Sequence, residues 1–162
     1  MNTAKILQAG EIAKKVKVFA KTIVKKGAPL LEIAEKIEDK IITLGGKPAF
    51  PCNLSMDNVA AHYTPSHDDV TLAHGLIKVD FGVHVDGWVA DTSLSFDLEG
   101  NPLNKKLIEA AEKALVKAQE NFKEGASLGK IGLLIQKEIE SHGFSPVINL
   151  SGHQIEQYDL HA

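Results

Sequence analysis

The alternation of apolar and polar residues predicts four amphipathic helices, arranged as two pairs that are separated by a segment without helical periodicity. Apolar positions recur at helical spacing over about residues 3–26 and 29–44, and again over about 102–123 and 127–142. Gly27 and the Gly45-Gly46 pair stand where the first two helices should end. The pattern therefore predicts two helix pairs joined by a long non-helical segment.

The middle of the chain carries the β signal. Two runs rich in β-branched and aromatic residues, within residues 76–96, flank the dipeptide Asp86-Gly87, and this arrangement predicts a hairpin with a two-residue turn. Prolines break up the polar stretch before the hairpin, which we interpret as loop or short edge strand. Residues 144–150 are expected to form a further strand.

A shift of about 98 residues aligns the second helix pair with the first. Gly27 then falls on Gly125 and Gly45 on Gly143, which favours a duplicated unit of helix, helix, loop and hairpin. The first copy would span about 3–96, and the second would begin near 101 and continue to about 194. At 162 residues the chain is therefore expected to be the N-terminal portion of a longer domain. Alone, it should expose an apolar sheet face and an unpaired edge.

Composition narrows the function classes. The 162 residues carry 18 Lys+Arg and 21 Asp+Glu, a net charge of −3, which argues against a general nucleic-acid binder. No apolar run is long enough to cross a membrane. The lone cysteine, Cys52, excludes an internal disulfide framework and a Cys-rich zinc module, and it favours a reducing, intracellular environment.

The predicted hairpin brings two carboxylates together. A turn at Asp86-Gly87 pairs position 80 with 93 and position 82 with 91, so Asp80 and Asp91 share one face. Their backbones would lie about 7–8 Å apart as diagonal neighbours, with Gly82 leaving room beside them. Carboxylates that share a space repel unless a proton or cation intervenes, and oxygen ligands suit divalent metals. The pair therefore predicts a metal site.

Histidines add a second clue. His153 and His161 lie in the polar stretch at the end of the chain, and His62 shifted by the repeat falls one residue short of His161. Histidines at such related positions would flank a cleft between two halves. The other four, His67, His74, His84 and His142, are expected to be surface or satisfied core residues.

Five segments together resemble the methionine aminopeptidases, in the type II version of archaeal length. They are PAFPCNLS at 48–55, AAHYTP at 60–65, VDFGVHVDG at 79–87, ADT at 90–92 and GHQIEQYDLHA at 152–162. The resemblance implies an α+β pita-bread fold, with helix pairs packed on an antiparallel sheet and two pseudo-symmetric halves around a two-metal site. It is incomplete here, because this chain would supply only the first part of that domain.

The resemblance also assigns roles. Asp80 would bind one metal in bidentate fashion, Asp91 would bridge both metals, and His153 would be the histidine ligand. His62 and His161 would contact the substrate and stabilise the reacting carbonyl. Two further glutamate ligands would come from a companion chain or a missing C-terminal segment, so the chain alone is expected to be inactive.

The implied function is removal of the N-terminal methionine from nascent proteins in the cytoplasm. The cofactor would be two divalent ions, among Co, Mn, Fe and Zn. A hydrophobic slot would take the methionine side chain, with Phe50, Pro51, Ile155 and Tyr158 as lining residues. Two alternatives stay open: an X-Pro aminopeptidase or prolidase-like enzyme, and a non-catalytic pita-bread protein used for binding.

Overall fold

Four helices and four strands make up the fold in the computed structural model, which describes residues 1–162. In chain order they are α1 (Thr3–Ile23), α2 (Leu30–Thr43), β1 (Lys47–Pro48), β2 (Asn53–Met56), β3 (Leu76–Val85), β4 (Trp88–Asp97), α3 (Pro102–Asn121) and α4 (Leu128–Ser141). They divide into two units, residues 1–99 with 153–162, and residues 100–152. The four predicted helices and the predicted hairpin are all confirmed.

The sheet of the first unit is organised around β3. Strands β1 and β2 pair antiparallel with the two halves of one edge of β3, and β4 pairs with its other edge. The β3–β4 turn has positive φ at both central residues, 49° at Asp86 and 81° at Gly87. Turns of that kind match the twist of the paired strands, and Asp-Gly is a preferred sequence for them.

The core lies between the sheet and the first helix pair. Alternate β3 residues are fully buried, among them Val79, Phe81 and Val83, and they join one apolar cluster with the inward faces of α1 and α2. The apolar face of this sheet is therefore covered, and the expectation of an exposed apolar sheet face is wrong. The expected open edge is present, because β4 pairs with β3 and with no other strand.

Residues 144–150 do not form the predicted strand; they are irregular throughout. Pro146 removes a backbone donor from the middle of the run. Ile148 is 92% exposed and Val147 55% exposed, so these two apolar side chains find no packing surface.

The second unit is a helical hairpin of α3 and α4. Asn101 caps α3, its side chain accepting a hydrogen bond from the amide of Leu103, and Ser127 precedes α4. The glycines that the repeat aligns share one backbone state, with φ of 80° at Gly27 and 76° at Gly125. Such agreement supports local similarity of the two helix pairs, while the duplication itself stays a prediction.

Two isoleucines of α2 allow a matched test of this core. Ile37 is fully buried and Ile42 is 58% exposed. We expect Ile37→Ala to lower the free energy of unfolding by about 2–5 kcal/mol, since it removes buried methyl groups and leaves a cavity. Ile42→Ala should change it by less than about 0.5 kcal/mol. Urea unfolding followed by the fluorescence of Trp88, which lies in the same unit, measures both, and equal losses would contradict this packing.

Candidate metal centre

The observed register places Asp80 and Asp91 on the same face of the hairpin. Asp80 pairs with Ser93, and Asp91 pairs with Gly82, as the turn predicted. Because side chains alternate along a strand, both carboxylates project away from the face that carries Val79 and Phe81. The face opposite the hydrophobic core therefore carries the acidic pair.

Asp80 is supported from the neighbouring strand by Asn53, its pairing partner on β2. The Asn53 amide nitrogen donates a hydrogen bond of 3.5 Å to Asp80 Oδ2, and its amide oxygen accepts one of 2.6 Å from the Thr64 hydroxyl. Asn53 is only 9% exposed. This side chain thus connects Asp80 to the segment that carries His62, whose charge acts on the same carboxyl.

Sequence reasoning missed Asn53. It lies within the motif at 48–55, which by itself assigns no role to its amide. The available signal was an amide residue in a short strand beside the strand of Asp80, and using it required the β2–β3 register, which the sequence does not show.

Asp91 is approached by the final segment of the chain. His153 Nε2 lies 3.7 Å from Asp91 Oδ2, and the rings of His153 and His161 pack edge to face with centroids 4.4 Å apart. The structure therefore gathers four of the predicted site residues, Asp80, Asp91, His153 and His161, on the polar face of one sheet. His62 lies close enough to affect Asp80 electrostatically.

Partial burial disfavours the charged form of both carboxylates. Removal from water raises the pKa of Asp80, and the negative charge of Asp91 raises it further, against a smaller lowering by the Asn53 hydrogen bond and by His62. Burial likewise raises the pKa of Asp91, while His153 and His161 oppose that shift. In both cases desolvation is the largest cause, so these carboxylates favour a proton or another cation.

Two of the predicted lining residues, Phe50 and Tyr158, lie in different places. Phe50 packs over Gly82, where an added Cβ would come within 2.5 Å of the Phe50 ring. The room that Gly82 leaves is thus filled by Phe50, beside the strand position that pairs with Asp91. Tyr158 is instead 72% exposed and rests on Gly87 at the hairpin turn.

The donor chemistry fits a divalent cation in kind and is incomplete in number. Two carboxylates and an imidazole are the ligand types that Mn, Co, Fe and Zn accept. No group of three or more His, Cys, Asp or Glu side chains is arranged to hold a metal ion as it stands. Asp80, Asp91 and His153 would have to converge further, and additional donors would be needed.

Comparison with known proteins decides the family. The model of metallopeptidase family M24 matches residues 4–162. The chain belongs to metallopeptidase family M24. None of the four helices combines the length and the apolar character that a membrane crossing requires.

Curated M24 relatives carry the name methionine aminopeptidase. The protein of that name from Pyrococcus horikoshii is 49% identical over 100% of this chain, which covers 55% of the relative. A second, from Methanothermus fervidus, is 43% identical over 98% of this chain and 91% of the relative. The chain thus spans about half the length of the Pyrococcus relative.

Solved structures confirm the α+β fold of M24 proteins. The crystal structure of methionine aminopeptidase from Rickettsia prowazekii superposes with a TM-score of 0.88 at 29% identity, covering 98% of this chain and 67% of that one. The prolidase from Pyrococcus horikoshii OT3 gives 0.84 at 24% identity, covering 99% and 47%. The prolidase likeness shows the fold alone.

The raised pKa values of the two carboxyl groups predict that the stability of the metal-free chain depends on pH. A raised pKa in the folded state means that Asp80 stabilises the fold fully below its ordinary pKa of 3.8, and that this stabilisation is lost as the pH rises through the raised value. Asparagine cannot ionise. Asp80→Asn should therefore increase the free energy of unfolding near pH 7 relative to the unchanged chain, with that gain absent near pH 3.

Urea unfolding with a chelator present, followed by Trp88 fluorescence, measures this difference. Asp68→Asn is the matched control, because the Asp68 side chain is 76% exposed. It should show no such gain. A loss of stability at neutral pH in Asp80→Asn would contradict the burial of an uncompensated charge.

Proposed function

We propose that this chain forms part of a methionine aminopeptidase, with Asp80, Asp91 and His153 as ligands of divalent metal. The observation that carries the proposal is the placement of two half-buried carboxylates on one hairpin face, with His153 Nε2 3.7 Å from Asp91. Membership of family M24 and the names of the curated relatives support the same activity.

The positions of Asp80 and Asp91 suggest a different metal-binding role for each. Asp80 lies on the Asn53 side of the pair and is proposed to bind one ion through both oxygens. Asp91 lies diagonally across the hairpin, beside His153, and is proposed to bridge two ions. When bound, divalent metal supplies polarisation of a peptide carbonyl and activation of water at neutral pH.

Further donors have to complete the centre. Three protein ligands are too few for two ions, and the charge of two carboxylates leaves a dinuclear site positively charged. We propose that two glutamates supply the rest, from a companion polypeptide or from a further segment of the same protein. The ions are proposed to be among Co, Mn, Fe and Zn.

His62 and His161 are proposed to act on the substrate. His161 lies against His153 at 4.4 Å between ring centroids, and His62 lies on the Asp80 side. Either can donate a hydrogen bond to the carbonyl oxygen as negative charge develops on it, the stabilisation that is usually largest in peptide hydrolysis. His62 holds a φ of 67°, an uncommon state for a side-chain-bearing residue, and backbone strain concentrates at functional sites.

Phe50 gives the proposed methionine slot an apolar wall. Its ring packs over Gly82, next to the position of Asp91, so it lies beside the carboxylates and not at the distant turn. A thioether packs favourably against an aromatic ring. N-terminal methionines of nascent chains are thus the proposed substrates, and the cytoplasm, where such chains emerge, is the proposed location.

Peptide cleavage tests the activity and its main alternative together. The protein used should contain this chain and the segment that supplies the proposed glutamates. With Mn²⁺ or Co²⁺ we expect release of methionine from Met-Ala-Ser and no cleavage of an Ala-Pro peptide; a chelator should abolish the release. Cleavage of the X-Pro peptide alone would favour the prolidase-like alternative, and binding of metal without cleavage of either peptide would favour a non-catalytic protein.

The two histidines should separate catalysis from metal binding. Replacing His62 or His161 by alanine in that protein is expected to lower kcat by about 10²–10³-fold, as for loss of a donor to a developing oxyanion. Metal content should stay close to that of the unchanged protein. His67→Ala is the control, because His67 is 95% exposed. Parallel loss of metal and activity would show that His62 or His161 is a ligand instead.

A further inference from the structure

The segment 153–162 is held by the β3–β4 turn, at a point separate from the acidic pair. The Tyr158 amide donates a hydrogen bond of 2.9 Å to the Gly87 carbonyl, and the Gln157 side-chain amide donates one of 2.9 Å to the Asp86 carbonyl. These two bonds fix the middle of the segment to the end of the hairpin. His153 and His161 lie on either side of that point in the sequence.

The Tyr158 ring completes the contact. It lies directly on Gly87, where an added Cβ would collide with the ring, and its edge meets the His84 ring at 5.8 Å between centroids. Gly87 is buried although it belongs to a turn. Tyr158 itself adopts a φ of 61°, which turns the chain over the hairpin end.

The turn, in this way, sets the path of the segment on both sides of Tyr158. On one side His153 reaches to 3.7 Å from Asp91, and on the other His161 returns to pack against His153. Within the segment, Glu156 and Asp159 form a single antiparallel bridge, which closes a tight loop around Tyr158. The Ala162 amide also donates a hydrogen bond of 3.2 Å to the Gln154 carbonyl, so the segment is folded on itself. Its position relative to the hairpin depends on the contacts that Gln157 and Tyr158 make with the turn.

We infer that Tyr158 is a positioning residue: its contact with Gly87 docks the segment on the hairpin turn and thereby places His153 and His161 at the acidic pair. Tyr158 then acts through the two histidines, not by touching substrate, which differs from the lining role expected of it. The docking is a property of the chain without metal. Its consequence for metal affinity rests on the proposed function.

The first experiment measures the histidine pair in the metal-free chain. In the unchanged chain we expect a nuclear Overhauser effect between the ring protons of His153 and His161. Tyr158→Ala should abolish it, and Tyr158→Phe should retain it, because the inference assigns the contact to the ring and not to the hydroxyl. Phe122→Ala, at another exposed aromatic (70%), should leave it unchanged. Its persistence in Tyr158→Ala would overturn the inference.

Gly87 supplies a second, independent variant. Gly87→Ala should also abolish the effect, because the methyl group collides with the Tyr158 ring. Gly45→Ala is the matched control: Gly45 has a similar φ of 86°, against 81° at Gly87, but nothing lies within 4 Å of an added Cβ. It carries the same backbone strain without the collision and should keep the effect. If both glycine variants behave alike, the inference is wrong.

Metal titration separates this inference from the proposed function. The protein that contains this chain and the segment with the proposed glutamates is used for calorimetry with Mn²⁺. In it, Tyr158→Ala should bind Mn²⁺ at least about tenfold more weakly than Tyr158→Phe, in the range found when groups that orient ligands are removed. Equal affinities would overturn the positioning role. If that protein binds no Mn²⁺ but this chain shows the histidine contact, the docking stands and the metal proposal fails.

Discussion

The register of the β3–β4 hairpin decides what the rest of the structure can do. Side chains alternate with a period of two, so a slip of one residue would turn Asp80 and Asp91 into the core and expose Val79 and Phe81. Two constraints prevent that slip. Asp86 and Gly87 adopt the positive φ values of a two-residue turn, and the apolar face is buried against α1 and α2. The same packing that stabilises the fold thus aims the carboxylates away from the core.

The acidic pair is the place in the sheet where charged side chains are partly buried without full neutralisation. Both carboxyl groups have a raised pKa because they are partly removed from water, and the charge of Asp91 adds to the shift at Asp80. Asn53 lowers the pKa of Asp80, and His153 and His161 lower that of Asp91, but these effects offset the rise only in part. Negative charge that the fold places there without full neutralisation lowers the stability of the metal-free chain and favours a proton or another cation at this pair. The candidate centre therefore explains an arrangement that the packing of the sheet alone does not require.

Local signals made the hairpin and the helices predictable. The Asp86-Gly87 turn and the period-two pattern sufficed to place Asp80 and Asp91 on one face, because both signals operate within a few residues. The predicted strand at 144–150 was wrong for the complementary reason: an apolar run shows that a strand is possible, while a packing surface and a pairing partner decide whether it forms.

Contacts between residues far apart in the sequence could not be predicted from such local signals. Asn53 meets Asp80 across 27 positions, and Gln157 meets Asp86 across 71. Neither partner can be read from spacing. The segment 153–162 was recognised by its resemblance to a family, but how it is anchored to the hairpin became visible only in the structure. Gly82 was expected to leave room beside the carboxylates, but in the structure Phe50 fills that space.

A crystal of the protein that contains this chain and the segment with the proposed glutamates, soaked in Mn²⁺, tests the central claim most directly. Anomalous diffraction locates the ion without assuming any ligand. The account predicts a peak between the carboxylates of Asp80 and Asp91, within coordination distance of both, and its loss in crystals of Asp91→Asn. A peak elsewhere on the chain, with the acidic pair empty, would contradict it.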